Sequence, residues 1–193
     1  MRRPVPAIRE AGAEDLPLLP ALEAASDTLL AGMPGVRNPG VAAEVLGSGA
    51  RDPEVRGVDP LPLPPPASAA ELSSALQVLV SGTPAVGFAR LEEVDGQAHL
   101  EQLSVHPDAA GAGVGRALVE AALGWARAQG YTSMTLSTFA GVPFNAPFYR
   151  SCGFTDVLNP GDELRELREH EKQLGLDALG ERVAMRIGLA PSY

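Results

Sequence analysis

Cysteine is nearly absent from this sequence. Cys152 is the only one in 193 residues, so no internal disulfide can form, and no Cys/His grouping has the spacing of metal ligands. The expectation is a fold held by packing, with no metal. Long apolar runs are missing as well. The opening MRRPVPAIRE is basic but leads into no apolar segment, and no later stretch approaches the length of a membrane span. The expected setting is cytoplasmic, with no membrane. Positive charge is in deficit: 15 Lys and Arg stand against 24 Asp and Glu, a formal net charge of −9. A nucleic acid would meet net repulsion, so DNA and RNA are disfavoured as partners, and small cationic molecules are the easiest to accommodate. The same carboxylates also serve solubility.

What is there is ordinary in amount: 45% apolar and 20% charged residues, a length and composition suited to one globular domain with one core. That domain is expected to span 1–193, broken by a Gly/Pro-rich loop over about 32–66 that ends in DPLPLPPPA. Loops of such length are functional or mobile.

Ala7 to Ala11 reads as a short strand, and AEDLPLLPALEAASDTLL as a helix with Leu18, Leu22 and Ala25 apolar, made ragged at its start by Pro17 and Pro20. Ser68 and Glu71 have capping-box spacing. QVLVS, AVGFARLEE and AHLEQLSV then read as an antiparallel meander, with Asp95-Gly96 as a hairpin turn. A helix from about Val114 carries Val114, Leu118, Ala121, Trp125 and Ala128 as an apolar stripe and closes at Gly130. YTSMTLSTF is the next strand; the helix before it makes it parallel to its predecessor through a right-handed crossover. NAPFYRSC forms a short helix between Asn145 as N-cap and Gly153 as stop, DELRELREHEKQLG a longer one with Leu164, Leu167 and Leu174 on one face, and RVAMRIGL the last strand. The fold class is α/β: a mixed, mostly antiparallel central sheet with one parallel pair and helices on both faces.

The stretch AAGAGVGRAL places Gly111, Gly113 and Gly115 just where a helix begins. It lacks the GK[ST] of a Walker A loop, and Arg116 stands where G-x-G-x-x-G needs its last glycine. Nor does the next strand end in the acidic residue of a dinucleotide fold, since Ser137 and Thr138 are there. What remains is a strand, a glycine turn and a helix start whose backbone N–H groups would face a pyrophosphate, with Arg116 adding charge.

In LSVHPDAAGAGVGRAL and, further on, NAPFYRSCGF, the chain resembles the GNAT superfamily of N-acetyltransferases over roughly residues 68–158. The resemblance implies a GNAT-like acyl-CoA N-acyltransferase fold, whose parallel strands splay at the cofactor site, and transfer of an acetyl group from acetyl-CoA to an amine. It implies cofactor contacts at Gly111, Ala112, Gly113, Val114, Gly115 and Arg116, at Asn145, and at free backbone groups of Leu103 and Val105 that would pair with the pantetheine amides. Ala110 departs from the pattern, which has Arg or Gln there; one contact is lost and weaker binding is expected.

The reaction needs a base for the attacking ammonium and an acid for the departing thiolate. By a period of two, His99, Glu101 and Leu103 share one strand face. The family places its base on this strand, which makes Glu101 the first candidate and His99 the second; the other reading is two solvated strand residues. Tyr149 matches the family's general acid; the other reading is a packing tyrosine. Cys152 and Trp125 read as core residues, and His106 as a loop residue. The acceptor is expected to be a primary amine on a small molecule or peptide, with a homodimer left open. An acetyl-CoA sensor without turnover is the alternative, and an acyltransferase for longer chains a third.

Overall fold

A computed structural model describes residues 4–31, 33–37 and 63–190; most of the Gly/Pro-rich loop expected over 32–66 lies outside the described residues. Seven strands form one sheet in the order β1-β2-β3-β4-β5-β7-β6. They are β1 (Ile8–Glu10), β2 (Gln77–Ser81), β3 (Gly87–Val94), β4 (Gln97–Val105), β5 (Ser133–Phe139), β6 (Thr155–Asp156) and β7 (Arg182–Gly188). Every pairing is antiparallel except β4 with β5, the pair that the intervening helix predicts. The helices are α1 (Leu19–Asp27), α2 (Ala69–Ser74), α3 (Val114–Ala128), α4 (Ala146–Ser151), α5 (Asp162–Gln173) and α6 (Leu176–Leu179). The two-residue β6 and the short α6 carry no periodic signal long enough to read.

The sheet buries a different set of side chains on each face. Leu79, Ala89, Leu91, Ala98, Leu100, Met134 and Leu136 pack against α3, while Val78, Val80 and Phe88 meet Leu19 and Leu22 of α1 and Leu72 of α2. The capping box at the start of α2 forms as its spacing predicts, with Glu71 N–H donating to Ser68 Oγ and Ser68 N–H to Glu71 Oε2. In α1 the buried residues are Leu19 and Leu22; Leu18 is 56% exposed, because it closes a separate 3-10 turn, Leu16–Leu18, before the helix proper. In α3 the buried positions are Val114, Leu118, Val119, Ala122, Leu123 and Ala126, with Ala121 and Trp125 at the margin and Ala128 exposed. The true apolar arc is broader than the expected stripe and rotated from it. On α5 only Leu164 is buried; Leu174 is 47% exposed, since the helix ends before it.

One residue resets the geometry of β4. Arg90 on β3 faces Gln102, but Leu91 faces Leu100, so Glu101 is surplus and forms a bulge. Beyond a bulge the alternation of side chains is reversed. His99 and Glu101 keep one face, whereas Leu103 and Val105 join Leu100 on the face covered by α3. The expectation that Leu103 shares a face with His99 and Glu101 therefore fails, because a strict period of two does not survive an inserted residue.

The Asp95-Gly96 turn does more than connect β3 to β4. The Asp95 carboxylate accepts from the N–H groups of Glu163 at 2.9 Å and Leu164 at 3.2 Å, and Asp95 N–H donates to the Glu163 carboxylate. A residue distant in sequence thus caps α5, and Gly161 leaves room for it, since a Cβ there would collide with the Asp95 side chain.

Candidate active site

The parallel pairing of β4 and β5 is short. It runs through Ala98↔Met134, His99↔Thr135 and Leu100↔Leu136 and stops, although β4 continues to Val105 and β5 to Phe139. Past that rung the strands have separated. His106 N–H donates to Val86 O, which makes Gly87↔Val105 a pair without mutual hydrogen bonds. By alternation, the backbone groups of Leu103 and Val105 both point away from β3, into the opening. The Val105 N–H is not free as expected: it donates to Ser26 Oγ at 3.3 Å. An N–H that loses its strand neighbour needs another acceptor, and α1, lying across β4, provides one.

The glycine loop lies at the end of β4. Pro107–Ala109 make a 3-10 turn, and Gly111 (φ +73°) and Gly113 (φ +97°) are in the left-handed region, which bends the chain into the start of α3. The first helical bond is from Ala117 N–H to Gly113 O. The N–H groups of Val114, Gly115 and Arg116 precede it and have no helical partner, the donor set of an anion site. Ala112 N–H instead closes a turn onto Ala109 O at 3.3 Å. A Cβ on Gly115 would come within 3.7 Å of the Phe148 ring and 3.8 Å of the Val105 side chain, so the helix start is seated on β4 and α4. The Arg116 guanidinium is turned across to α4, bonded to Ser151 Oγ at 2.8 Å and Ser151 O at 3.3 Å. These donors suit a pyrophosphate in charge and in shape.

On the opposite face of the sheet, His99 is 1% exposed. Its Nδ1 is 2.8 Å from Thr135 Oγ1, and its Nε2 is 3.6 Å from Glu101 Oε2. Burial lowers its pKa to about 4, so the ring is neutral at pH 7. The Glu101 side chain is 39% exposed along the opening. Loss of water around it still raises its pKa; Arg90 and Arg182 oppose the shift, while Glu171 and Glu92 add to it. Two further carboxylates, Glu23 and Asp27, are half-buried one turn apart on α1. Burial pushes Glu23 up to about 7 and Asp27 to about 6, and Glu23 feels the charges of Asp27 and Glu101. The nearby guanidiniums are already committed. Arg182 binds Glu171 at 2.6 Å while stacking over Phe139 at 4.9 Å, Arg168 pairs with the same carboxylate, and Arg90 pairs with Glu92 at 2.7 Å.

Tyr149 enters from the α3 side. It is 8% exposed and packs in the main core, with Phe148 and Phe154 edge-on at 5.1 and 5.8 Å. Burial raises its phenol pKa well above the ordinary value, with Cys152 adding to the shift, so it stays protonated. Cys152, expected in the core, is only partly buried, as is Phe148, and Tyr149 is the core residue of α4. Asn145 stands at the N-cap position, but its side chain makes no capping bond, which leaves the amide uncommitted. His106 accepts from Asp108 N–H and stays a loop residue, as read.

Glu23, Asp27, Ser26 and Thr135 were not legible as site residues. The only available signal was the run of Ser133, Thr135 and Ser137 at every second position of β5, unusual for a strand buried on both faces. Among the described residues, no group of three or more His, Cys, Asp or Glu is placed to hold a metal ion.

A family model described as the acetyltransferase (GNAT) family matches residues 54–154, just over half the chain and inclusive of the glycine loop and α4. The chain belongs to the GNAT acetyltransferase family. It is an acetyl-CoA-dependent N-acetyltransferase, and the opening between β4 and β5 of this acetyltransferase follows the splayed pair that the resemblance implies. Similar solved structures include the ribosomal-protein-S18-alanine N-acetyltransferase from Escherichia coli, at 18% identity and TM-score 0.56, covering 97% of this chain and 96% of that one. A GCN5-related N-acetyltransferase from Rhodopseudomonas palustris shares 22% identity at TM-score 0.59, over 98% of this chain and 99% of that one. The PaiA N-acetyltransferase from Thermoplasma acidophilum, solved with coenzyme A, shares 14% at TM-score 0.57, over 96% and 99%. At these identities the likeness concerns the fold.

Proposed function

We propose that this chain is a single acetyltransferase domain acting in the cytoplasm, and that it acetylates the primary amine of a small molecule or peptide by direct transfer. The observation that carries the reading is the opening past Leu100 and Leu136. In this reading Glu101, on the α1 face of the sheet, and Tyr149, on the α3 face, serve one reacting centre between the strands. When bound, acetyl-CoA supplies an activated acetyl thioester. Its pyrophosphate is held by the N–H groups of Val114, Gly115 and Arg116, and its pantetheine arm by Leu103, by Val105 once Ser26 releases that N–H, and by Asn145.

Glu101, its pKa raised by burial, takes a proton from the acceptor ammonium. The nitrogen then bonds to the acetyl carbon to give a tetrahedral adduct; as the carbon–sulfur bond breaks, the Tyr149 hydroxyl gives its proton to the leaving sulfur, and the excess proton left on the amide nitrogen passes through solvent to restore the phenol. Backbone donors near Leu103 and Val105 stabilise the charge developing on the carbonyl oxygen. The acceptor is cationic in its resting form. Glu101 borders the opening, Glu23 feels the charges of Glu101 and Asp27, and none of the three is ion-paired with an arginine or lysine among the described residues, which favours an ammonium and disfavours nucleic acid.

The test is release of free thiol from acetyl-CoA by the purified protein across polyamines, aminoglycosides, amino acids and short peptides, each corrected for uncatalysed hydrolysis. Release with one amine class is the expected result. No release with any amine, while acetyl-CoA still raises the melting temperature, would favour the sensor reading.

A further inference from the structure

Ser137 follows directly on the last β4–β5 rung, Leu100↔Leu136. Its side chain is on the face of β5 that carries Thr135 and Phe139, opposite Leu136 and the α3 core. One more step of the parallel register would set it against Glu101, but there the strands have parted, so the two residues flank the mouth of the opening. Ser137 Oγ is buried and has no hydrogen-bond partner, the only side-chain oxygen or nitrogen in that state among the described residues. A buried hydroxyl without a partner costs roughly 1–3 kcal/mol, and native proteins tolerate few.

The neighbours of Ser137 explain why none of the described residues satisfies it. Thr135 is committed to His99, Ala184 is opposite on β7, Phe139 is apolar, and Arg182 is held by Glu171. Among the described residues nothing answers it, which leaves the hydroxyl available to a bound molecule. On this face stand Glu101 and His99, with Glu23 of α1 near enough to feel the charge of Glu101; the donors that suit a pyrophosphate are on the other face.

We propose that Ser137 Oγ and the Glu101 carboxylate together form the subsite for the acceptor's reacting ammonium, Ser137 accepting one N–H while Glu101 accepts another. This rests on the acetyltransferase reading of the same site and names a substrate-binding residue for it. After Glu101 removes a proton, the neutral amine keeps an N–H for Ser137, so the nitrogen stays in place with its lone pair available.

The test does not require turnover. The full chain, isotopically labelled and saturated with CoA, is titrated with methylammonium and separately with tetramethylammonium, which has the same charge and no N–H. Methylammonium is expected to shift the amide resonances around Glu101 and Ser137 saturably and tetramethylammonium is not, and Ser137→Ala should weaken the methylammonium response about fivefold or more. The melting temperature of Ser137→Ala should equal or exceed that of the wild type, because the variant removes an unsatisfied buried group. Equal responses to both cations, or no response, would overturn the proposal. So would a lower melting temperature in the variant, or CoA alone producing the Ser137 shift and abolishing the methylammonium one, which would assign the hydroxyl to the cofactor arm. Thiol release from acetyl-CoA is a separate readout, so the subsite and the transferase reading fail independently.

Discussion

The imidazole of His99 and the hydroxyl of Thr135 bridge β4 and β5 at 2.8 Å, one rung before the strands part. The pair is a side-chain brace at the base of the opening. With the ring neutral, one nitrogen carries the proton. When Thr135 donates to Nδ1, the Nε2–H is directed towards Glu101, 3.6 Å away, and favours its ionised form.

Thr135→Val keeps the shape and loses this bond. Glu101 must be ionised to accept a proton, and its pKa is raised by burial, so kcat/KM should rise with pH through a midpoint above the ordinary glutamate value. Thr135→Val should move that midpoint to higher pH. Glu101→Gln should remove the limb and lower turnover about 100-fold. An unchanged acidic limb in Glu101→Gln would take Glu101 out of the base role.

Tyr149→Phe keeps the edge-on packing with Phe148 and Phe154 and deletes only the hydroxyl. Turnover should fall about 100-fold or more, while the Kd for acetyl-CoA measured by calorimetry stays within twofold or so of the wild-type value. Normal turnover would leave Tyr149 as a packing residue.

Gly111 and Gly113 have φ of +73° and +97°, so an alanine at either should cost about 1–2 kcal/mol of stability and weaken acetyl-CoA binding. Gly115 is helical, and a Cβ there meets nothing closer than 3.7 Å. Gly115→Ala should leave urea stability unchanged or slightly raised, which separates backbone strain from loss of a glycine as such.

Glu23 has a pKa pushed up by burial to about 7, against an ordinary value of 4.5. A carboxyl raised on folding favours the folded state at low pH and loses that contribution as pH rises through its folded pKa. Glu23→Gln should therefore melt higher than the wild type at pH 8, and the difference should vanish below pH 4.5 or so. The same variant should raise the KM of a cationic acceptor.

Asp95→Ala removes both carboxylate bonds to the start of α5 and sets alanine at φ +53°, which aspartate tolerates better, so it should cost about 1–3 kcal/mol in urea denaturation. Gly96, in the same turn but outside this cap, is the control: its Cβ position is open, and its substitution should act through φ +65° on the hairpin alone.

The sequence by itself determined the order of the longer elements, β6 and α6 excepted, the one parallel pair and the glycine turn into α3, because these depend on local spacing: alternation in QVLVS, the Asp95-Gly96 pair, the glycines from Gly111, and a helix between two strands. Only the tertiary structure decided which side chains meet. The bulge at Glu101 turns Leu103 to the other face, a change of one residue in pairing that leaves no mark on composition or period. Asp95 caps a helix almost seventy positions away, Ser26 takes the N–H of Val105, and Ser137 Oγ is left without a partner among the described residues. Each depends on where two strands part company or where a helix crosses the sheet, and local sequence encodes the elements but not the distances between them.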